Sequence, residues 1–143
     1  ETAPRLLDRL AELAVRMLPE TIAAYAASRI EPRLQPAVGV TRARRLRREE
    51  GNFSWSDAAA TILRKWRAFQ PWPGVTIGGV KLLAVGPTEG TGTPGVILSR
   101  SPLVVAAGDG ALRIDRLQAA GGKPIAGADW ANGRRLGVGD WMP

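Results

Sequence analysis

The chain has 143 residues, enough for one ordinary domain with an appended segment. It contains no cysteine and no histidine, which excludes disulfides, thiolate nucleophiles, imidazole bases and the usual zinc ligands. Twenty basic residues against thirteen acidic ones give a formal net charge of +7, and all but three of the basic residues are arginine. This balance favours a polyanionic partner, with the arginine-rich codon usage of a GC-rich genome as the alternative explanation.

The first thirty residues are predicted to be helical. Apolar residues recur at helical spacing from Leu6 to Met17, so one face of this helix is apolar and needs a partner to cover it. Thr2 is a candidate N-cap, and Pro19 is expected to kink the helix or to start a second one. Four acidic residues among the first twenty argue against a signal or transit peptide. Because the chain does not begin with methionine, we expect it to be a fragment or a trimmed product.

Residues 31–52 lack hydrophobic periodicity and are predicted to form a basic linker, stiffened by Pro32 and Pro36. Two acidic residues, Glu49 and Glu50, follow its basic part and balance some of the charge. In an extended backbone, alternate side chains point to opposite sides, so the arginines could grip a phosphate backbone from two sides. A solvated charge run is the alternative. The five arginines of this run are Arg42, Arg44, Arg45, Arg47 and Arg48.

The stretch around residues 56–74 is predicted to be an amphipathic helix followed by a rigid turn. Ser56 is the expected N-cap, and Asp57 lies where the helix dipole favours a negative charge. Two prolines, Pro71 and Pro73, cannot continue a helix and restrict the residues before them to extended backbone. The predicted buried face, at spacings of four, four and three residues, consists of Ala58, Ile62, Trp66 and Phe69, with Arg64, Lys65 and Arg67 on the other side.

From Val75 onward the sequence predicts five short strands separated by glycine- and proline-rich turns. The clearest hairpin joins residues 75–77 to 80–85 through Gly78 and Gly79, and further strands are expected at 96–98, 103–106 and 111–117. A short helix at 127–136, capped by Asn132-Gly133, closes the chain. The expected fold is therefore α+β and mainly β: a small open β-barrel of the oligonucleotide-binding (OB) type with a capping helix, preceded by a helical segment and the basic linker.

Residues that could carry chemistry are scarce. The glycine-rich stretch at residues 90–95 lacks the lysine and following helix of a phosphate-binding loop, so we expect a flexible loop. Asp109 stands between two glycines and is interpreted as a turn residue. For Trp72, Trp130 and Trp141, burial in the core is favoured over stacking on unpaired bases. The chain is predicted to have no catalytic residue and no metal site.

Several motifs stand in a fixed order along the chain. Residues 67–74 read RAFQPWPG, residues 95–98 read GVIL, residues 108–113 read GDGALR and residues 117–123 read LQAAGGK, before D-x-x-N-G-R-R at 129–135. These motifs, together with residues 46–56 before them, resemble the linker exit and carboxy-terminal domain of methionyl-tRNA formyltransferases. The chain departs from the family pattern at Gln70, where asparagine is usual, and at Gly122, which replaces the first of two lysines.

The resemblance implies a division into three parts: the helical tail of a formyltransferase domain at 1–30, the basic linker at 31–52, and an OB-like tRNA-binding domain at 53–143. The family transfers a formyl group from 10-formyltetrahydrofolate to methionyl initiator tRNA, using Asn, His and Asp residues of its amino-terminal domain. None of those positions exists here, so no cofactor is expected to bind this chain and the fragment alone is expected to be inactive. The residues expected to bind RNA are Arg42, Arg44, Arg45, Arg47, Arg48, Arg67, Lys123, Arg134 and Arg135.

The same resemblance implies the partners and the location. We expect initiator tRNA and the amino-terminal catalytic domain as partners, no membrane, a monomer, and the bacterial cytoplasm, with the matrix of an organelle as the alternative. Two other functions stay open: a stand-alone, non-catalytic RNA-binding or ribonucleoprotein component derived from the family, and a related formyltransferase acting on a nucleotide sugar or folate. The arginine run argues against the last of these.

Overall fold

The computed structural model describes all residues, Glu1–Pro143, which form two compact units, Glu1–Leu46 and Arg47–Pro143. The first unit contains helix α1, Ala3–Ala26, which continues through Pro19 and has Thr2 at its N-cap position without a side-chain hydrogen bond. No residue of α1 is buried, and residues 25–46 are all exposed. The predicted helix is therefore present, but its apolar stripe faces solvent.

The second unit holds a six-stranded antiparallel sheet and two α-helices. Its elements are a 3₁₀ turn at Arg48–Gly51, α2 at Ala59–Ala68, β1 at Val75–Ile77, β2 at Val80–Thr88, β3 at Ile97–Arg100, β4 at Leu103–Ala106, β5 at Ala111–Ala119, β6 at Ile125–Ala126 and α3 at Gly127–Gly133.

The sheet has the strand order β1-β2-β5-β4-β3, with β6 paired to β5. The long central pair, β2 and β5, runs from Val80 opposite Ala119 to Thr88 opposite Ala111. The predicted α+β, mainly β fold with an open antiparallel sheet is confirmed, and its classification as OB-like stays a prediction. The two-residue strand β6 was missed, because Ile125 and Ala126 are too few to produce an alternating pattern.

Helix α2 begins later than predicted. Ala58 is its N-cap and makes no side-chain capping bond, so the assignment of Ser56 as the cap was wrong. The reason lies in the neighbouring loop: the Asp109 carbonyl accepts the Ala59 N–H at 2.9 Å, so backbone supplies the partner that the serine would have provided. The Asp57 carboxylate instead accepts the Ser54 N–H at 3.1 Å and lies outside the first turn.

The core of the second unit lies between α2 and the sheet. Ile62 and Leu63 are buried, while Trp66 and Phe69 are half-buried against the core, so the predicted burial of two aromatics is only partly right. The Trp66 indole N–H donates to the Leu82 carbonyl at 3.2 Å. This bond ties α2 to β2 and gives the polar edge of the indole a partner in the strand backbone.

The last residues of the chain complete the core. The Met142 side chain is fully buried, and its carbonyl accepts the Trp55 indole N–H at 3.0 Å. Helix α3 ends at Gly133 with Arg134 as its C-cap, so the predicted helix at 127–136 is too long. The left-handed residue that terminates it is Arg135, with φ of 58°, and not the expected glycine.

The packed unit begins at Arg47, so the end of the predicted 31–52 linker lies inside it. The Glu50 carboxylate accepts the Arg47 backbone N–H at 2.6 Å and closes the 3₁₀ turn. Gly51 is buried so tightly that an added Cβ would overlap the Gly74 carbonyl oxygen. Asn52 then pairs with Thr76 of β1. These residues are therefore held by the sheet and do not form a free tether.

Candidate nucleic-acid interface

A cleft of about 620 Å³ opens at one end of the sheet in the packed unit. Its walls come from the 3₁₀ turn, the turn before β1, the β1–β2 hairpin and the end of β5, and they include Arg48, Glu49, Asn52, Trp72, Lys81 and Gln118. Of the residues predicted to bind RNA, only Arg48 lines this cleft. Lys81 and Trp72 join it from strand β2 and from the proline turn, and neither was predicted as a site residue.

The position of Lys81 depends on Gly74. Gly74 has φ of 79°, and a Cβ at this residue would overlap the Lys81 side chain at Cε. The lysine stem therefore lies flat on the glycine backbone, and its ammonium group is 3.5 Å from the Pro71 carbonyl oxygen. The RAFQPWPG motif thus contributes to the site indirectly, because its final glycine leaves the space that the lysine occupies.

The three tryptophans considered above as candidates for stacking, Trp72, Trp130 and Trp141, have different environments. Trp130 is 3% exposed, as expected, but Trp72 and Trp141 are each 56% exposed, so the preference for burial was wrong for these two. Trp72 lies between Pro71 and Pro73 in the turn after α2, so the helical spacing that buries residues of α2 does not extend to it. Only one of these two exposed indoles, Trp72, borders the cleft.

A second group of basic residues lies at the end of α3. The Arg134 guanidinium lies over the ring of Trp130, with 4.9 Å from Cζ to the ring centroid, and Arg135 follows in a left-handed conformation. The Arg100 side chain, from the end of β3, donates to Asn132 Oδ1. The structure therefore joins Arg100 to the predicted Arg134-Arg135 pair, although 32 residues separate Arg100 from Asn132.

The remaining predicted residues are spread over both units. Arg67 is exposed in the last turn of α2, and Lys123 is exposed in the turn between β5 and β6. Neither lines the cleft. The arginine run is divided at the unit boundary: Arg42, Arg44 and Arg45 belong to Glu1–Leu46, whereas Arg47 and Arg48 belong to the packed unit, and all five are exposed.

Not every arginine contributes free positive charge. Arg113 donates to both carboxylate oxygens of Asp115, at 2.8 and 3.1 Å, and this hydrogen bonding and charge pairing raise the pKa of Arg113. Arg9 likewise bonds Glu1 at 2.9 Å, and this hydrogen bond lowers the pKa of the Glu1 carboxyl. Both pairs are solvent-exposed, so they reduce local charge more than they add stability.

The structure has neither a side-chain cluster for a metal ion nor a membrane-spanning helix. No three residues among aspartate, glutamate, histidine and cysteine are grouped so that they could hold a metal ion. None of the helices is both long and apolar enough to cross a membrane. What the packed unit presents is arginine and lysine charge, an exposed indole and an open cleft, a combination suited to binding phosphates and bases.

Comparison with known proteins gives the family. The model for the formyl transferase C-terminal domain matches residues 45–135, well over half of the chain. The chain belongs to this family. Its relatives include methionyl-tRNA formyltransferases from Pseudomonas paraeruginosa, 43% identical over 91% of this chain and 44% of that protein, and from Magnetococcus marinus, 38% identical over 97% and 46%. The chain therefore spans less than half the length of these relatives.

Among solved structures, HypX from Aquifex aeolicus has the same fold. The complex of that protein with tetrahydrofolic acid is 22% identical to this chain, with a TM-score of 0.65, and the match covers 91% of this chain and 25% of that one. At this identity the likeness supports the architecture of the formyl transferase C-terminal domain and nothing about ligands.

Proposed function

We propose that this chain is the tRNA-binding portion of a methionyl-tRNA formyltransferase. In this proposal it holds methionyl initiator tRNA while an amino-terminal domain transfers the formyl group from 10-formyltetrahydrofolate. The observation that carries the proposal is an exposed run of five arginines at the start of a domain whose relatives are methionyl-tRNA formyltransferases.

The physical basis is the way structured RNA is recognised. Double-stranded RNA hides its base edges in a deep, narrow groove, so proteins bind it mainly through phosphates and shape. Arginine suits this role because its planar guanidinium contacts a phosphate with two hydrogen bonds at once. The residues we propose as contacts are the nine predicted from the sequence: Arg42, Arg44, Arg45, Arg47, Arg48, Arg67, Lys123, Arg134 and Arg135.

Formyl transfer itself needs a base for the attacking amine and donors for the developing oxyanion. This chain has no histidine. The Asp57 carboxylate accepts the Ser54 backbone N–H, and Asp109 takes part through its backbone carbonyl, which accepts the Ala59 N–H. We therefore assign the chemistry and the folate to the amino-terminal domain of the parent protein. We further propose that the parent is a monomer that works in the bacterial cytoplasm, where translation begins.

The proposal is tested by measuring tRNA affinity at several salt concentrations. With about six to eight phosphates engaged, filter binding should show affinity falling by about a thousand-fold or more between 50 and 200 mM salt, because counterions are released on binding. Circular dichroism at each salt concentration controls for unfolding. A flat salt response would contradict the proposal.

In the parent enzyme, removing these arginines should affect binding more than chemistry. Substitution of the five arginines of the run by glutamine should raise the KM for tRNA when the chemical step is slow, and should change kcat much less. Steady-state formylation assays at saturating folate measure both constants. A variant with a lower kcat and an unchanged KM would assign the run to the chemical step.

A further inference from the structure

Phosphate binding along a duplex does not explain the exposed indole of Trp72 in the wall of the cleft. A tryptophan that is 56% exposed leaves much of its apolar surface in water, and large aromatics are usually covered. Trp72 lines the cleft from a turn in which Pro71 and Pro73 flank it; each proline fixes its own φ, and Pro73 also restricts the backbone of Trp72. An indole presented in this way offers a rigid surface on which a base can stack.

The charges around the indole complement a phosphate. Arg48 and Lys81 line the cleft, and Glu49 is the one acidic residue in its walls, so the lining carries net positive charge. Lys81 is placed there by Gly74, which leaves room for the lysine stem. Two cations from separate elements, the 3₁₀ turn and strand β2, thus converge on one opening beside an aromatic surface.

Two amides add polar partners to the walls. Asn52 Oδ1 accepts from the Thr76 hydroxyl at 2.8 Å, which fixes the side chain and leaves its NH₂ group as a donor. The Gln118 amide nitrogen donates to the Gly122 carbonyl at 2.8 Å, which leaves its own oxygen as an acceptor. The cleft therefore provides stacking surface, positive charge, one amide donor and one amide acceptor, the set of groups that a nucleotide requires.

We propose that this cleft binds one unpaired nucleotide of the RNA, with its base stacked on Trp72 and its phosphate between Arg48 and Lys81. The inference rests on the proposed function and names the part of the RNA that this surface takes. A paired base is already covered by its neighbours in the helix, so only a base outside a duplex can stack on an indole. The cleft volume of about 620 Å³ also fits a single small ligand and not a helix.

The test compares two RNA hairpins that share one stem, a blunt hairpin and one with a short single-stranded extension. The measured quantity is the ratio of their affinities for the full chain by filter binding. The wild-type chain should prefer the extended hairpin, and Trp72→Ala should reduce this preference by roughly 5- to 100-fold while leaving the blunt hairpin unaffected. Trp72→Phe should keep most of the preference, because a phenyl ring still stacks.

Matched controls separate stacking from general effects. Trp141→Ala removes an indole of equal exposure that does not line the cleft, and it should leave the ratio unchanged. Lys81→Gln should lower the ratio, whereas Arg116→Gln removes one exposed charge from β5 outside the cleft and should not. Melting temperatures of all variants confirm that they are folded.

The two proposals fail in different ways. If the wild-type chain binds both hairpins equally, or if Trp72→Ala keeps the wild-type ratio, the nucleotide cleft is wrong while RNA binding stands. If the wild-type chain binds neither hairpin, the proposed function is wrong and this inference falls with it.

Discussion

The two compact units carry similar apolar patterns and use them differently. Helix α1 and helix α2 both repeat apolar residues at helical spacing, yet Leu10 of α1 is 51% exposed and Ile62 of α2 is 0% exposed. The difference is that α2 has strands of the same chain to pack against, whereas α1 buries no residue. Amphipathic spacing therefore predicts that a helix forms, and the surroundings decide whether its face is covered. Stability should reside in residues 47–143.

Of Leu10 and Ile62, the buried Ile62 should give the larger loss of stability when it is replaced. Replacing Ile62 by alanine removes fully buried atoms and leaves a cavity, so the free energy of unfolding should fall by about 2–5 kcal/mol. Leu10→Ala is the matched control and should change it by less than about 0.5 kcal/mol. Urea denaturation of the full chain measures both, and equal losses would break the comparison between the units.

The next largest effect is expected for Trp66→Ala. It should lower the free energy of unfolding by about 3 kcal/mol, because the half-buried indole packs on the core and donates to the Leu82 carbonyl. Trp72→Ala removes the same side chain from an exposed position and should leave the melting temperature almost unchanged. An unchanged melting temperature for Trp66→Ala would show that α2 does not cap the sheet.

Gly51→Ala should cost less stability than these two substitutions, and it tests where the packed unit begins. The new Cβ would overlap the Gly74 carbonyl, which is backbone and cannot rotate away, so a loss of about 1–3 kcal/mol is expected in thermal unfolding. Gly133→Ala meets nothing within 4 Å and should be neutral or slightly stabilising, since alanine favours a helix. If Gly51→Ala leaves the stability unchanged, residues 47–52 belong to the linker and not to the packed unit.

Much of the fold could be predicted from local pattern. The hairpin at Gly78-Gly79 has its turn residues, the strand at 111–117 alternates, and the strand at 103–106 is a short apolar run between turns, all of which are signals within a few positions. The start of α2 could not be predicted, because its first N–H is bonded by Asp109, a residue of a distant loop. The end of α3 was missed for a related reason: Arg135 takes the left-handed conformation that glycine usually provides.

The candidate site was harder to predict than the fold. The arginine run and the Arg134-Arg135 pair are visible in the sequence because their charges are adjacent. Lys81 and Arg100 are single charges on strands, and only the folded chain brings them to a cleft or to the end of α3. One signal was available for the cleft: a tryptophan between two prolines cannot easily turn inward to join a helix face.

We propose that tRNA is held by charges that contribute little to the fold. Replacing Arg42, Arg44, Arg45, Arg47 and Arg48 by glutamine should leave the melting temperature nearly unchanged, since all five are exposed. A control variant removes five other exposed charges by the same change, at Arg5, Arg16, Arg29, Arg33 and Arg116, and has the same net charge.

The most direct measurement is the slope of log tRNA affinity against log salt concentration for these two variants and the wild-type chain. The arginine-run variant should bind tRNA more weakly, and its slope should shrink by roughly one unit for each phosphate that the protein no longer neutralises. The control variant should keep a slope close to the wild-type value. Wild-type affinity and slope in the arginine-run variant, or equal reductions in both variants, would contradict the assignment of tRNA binding to this run.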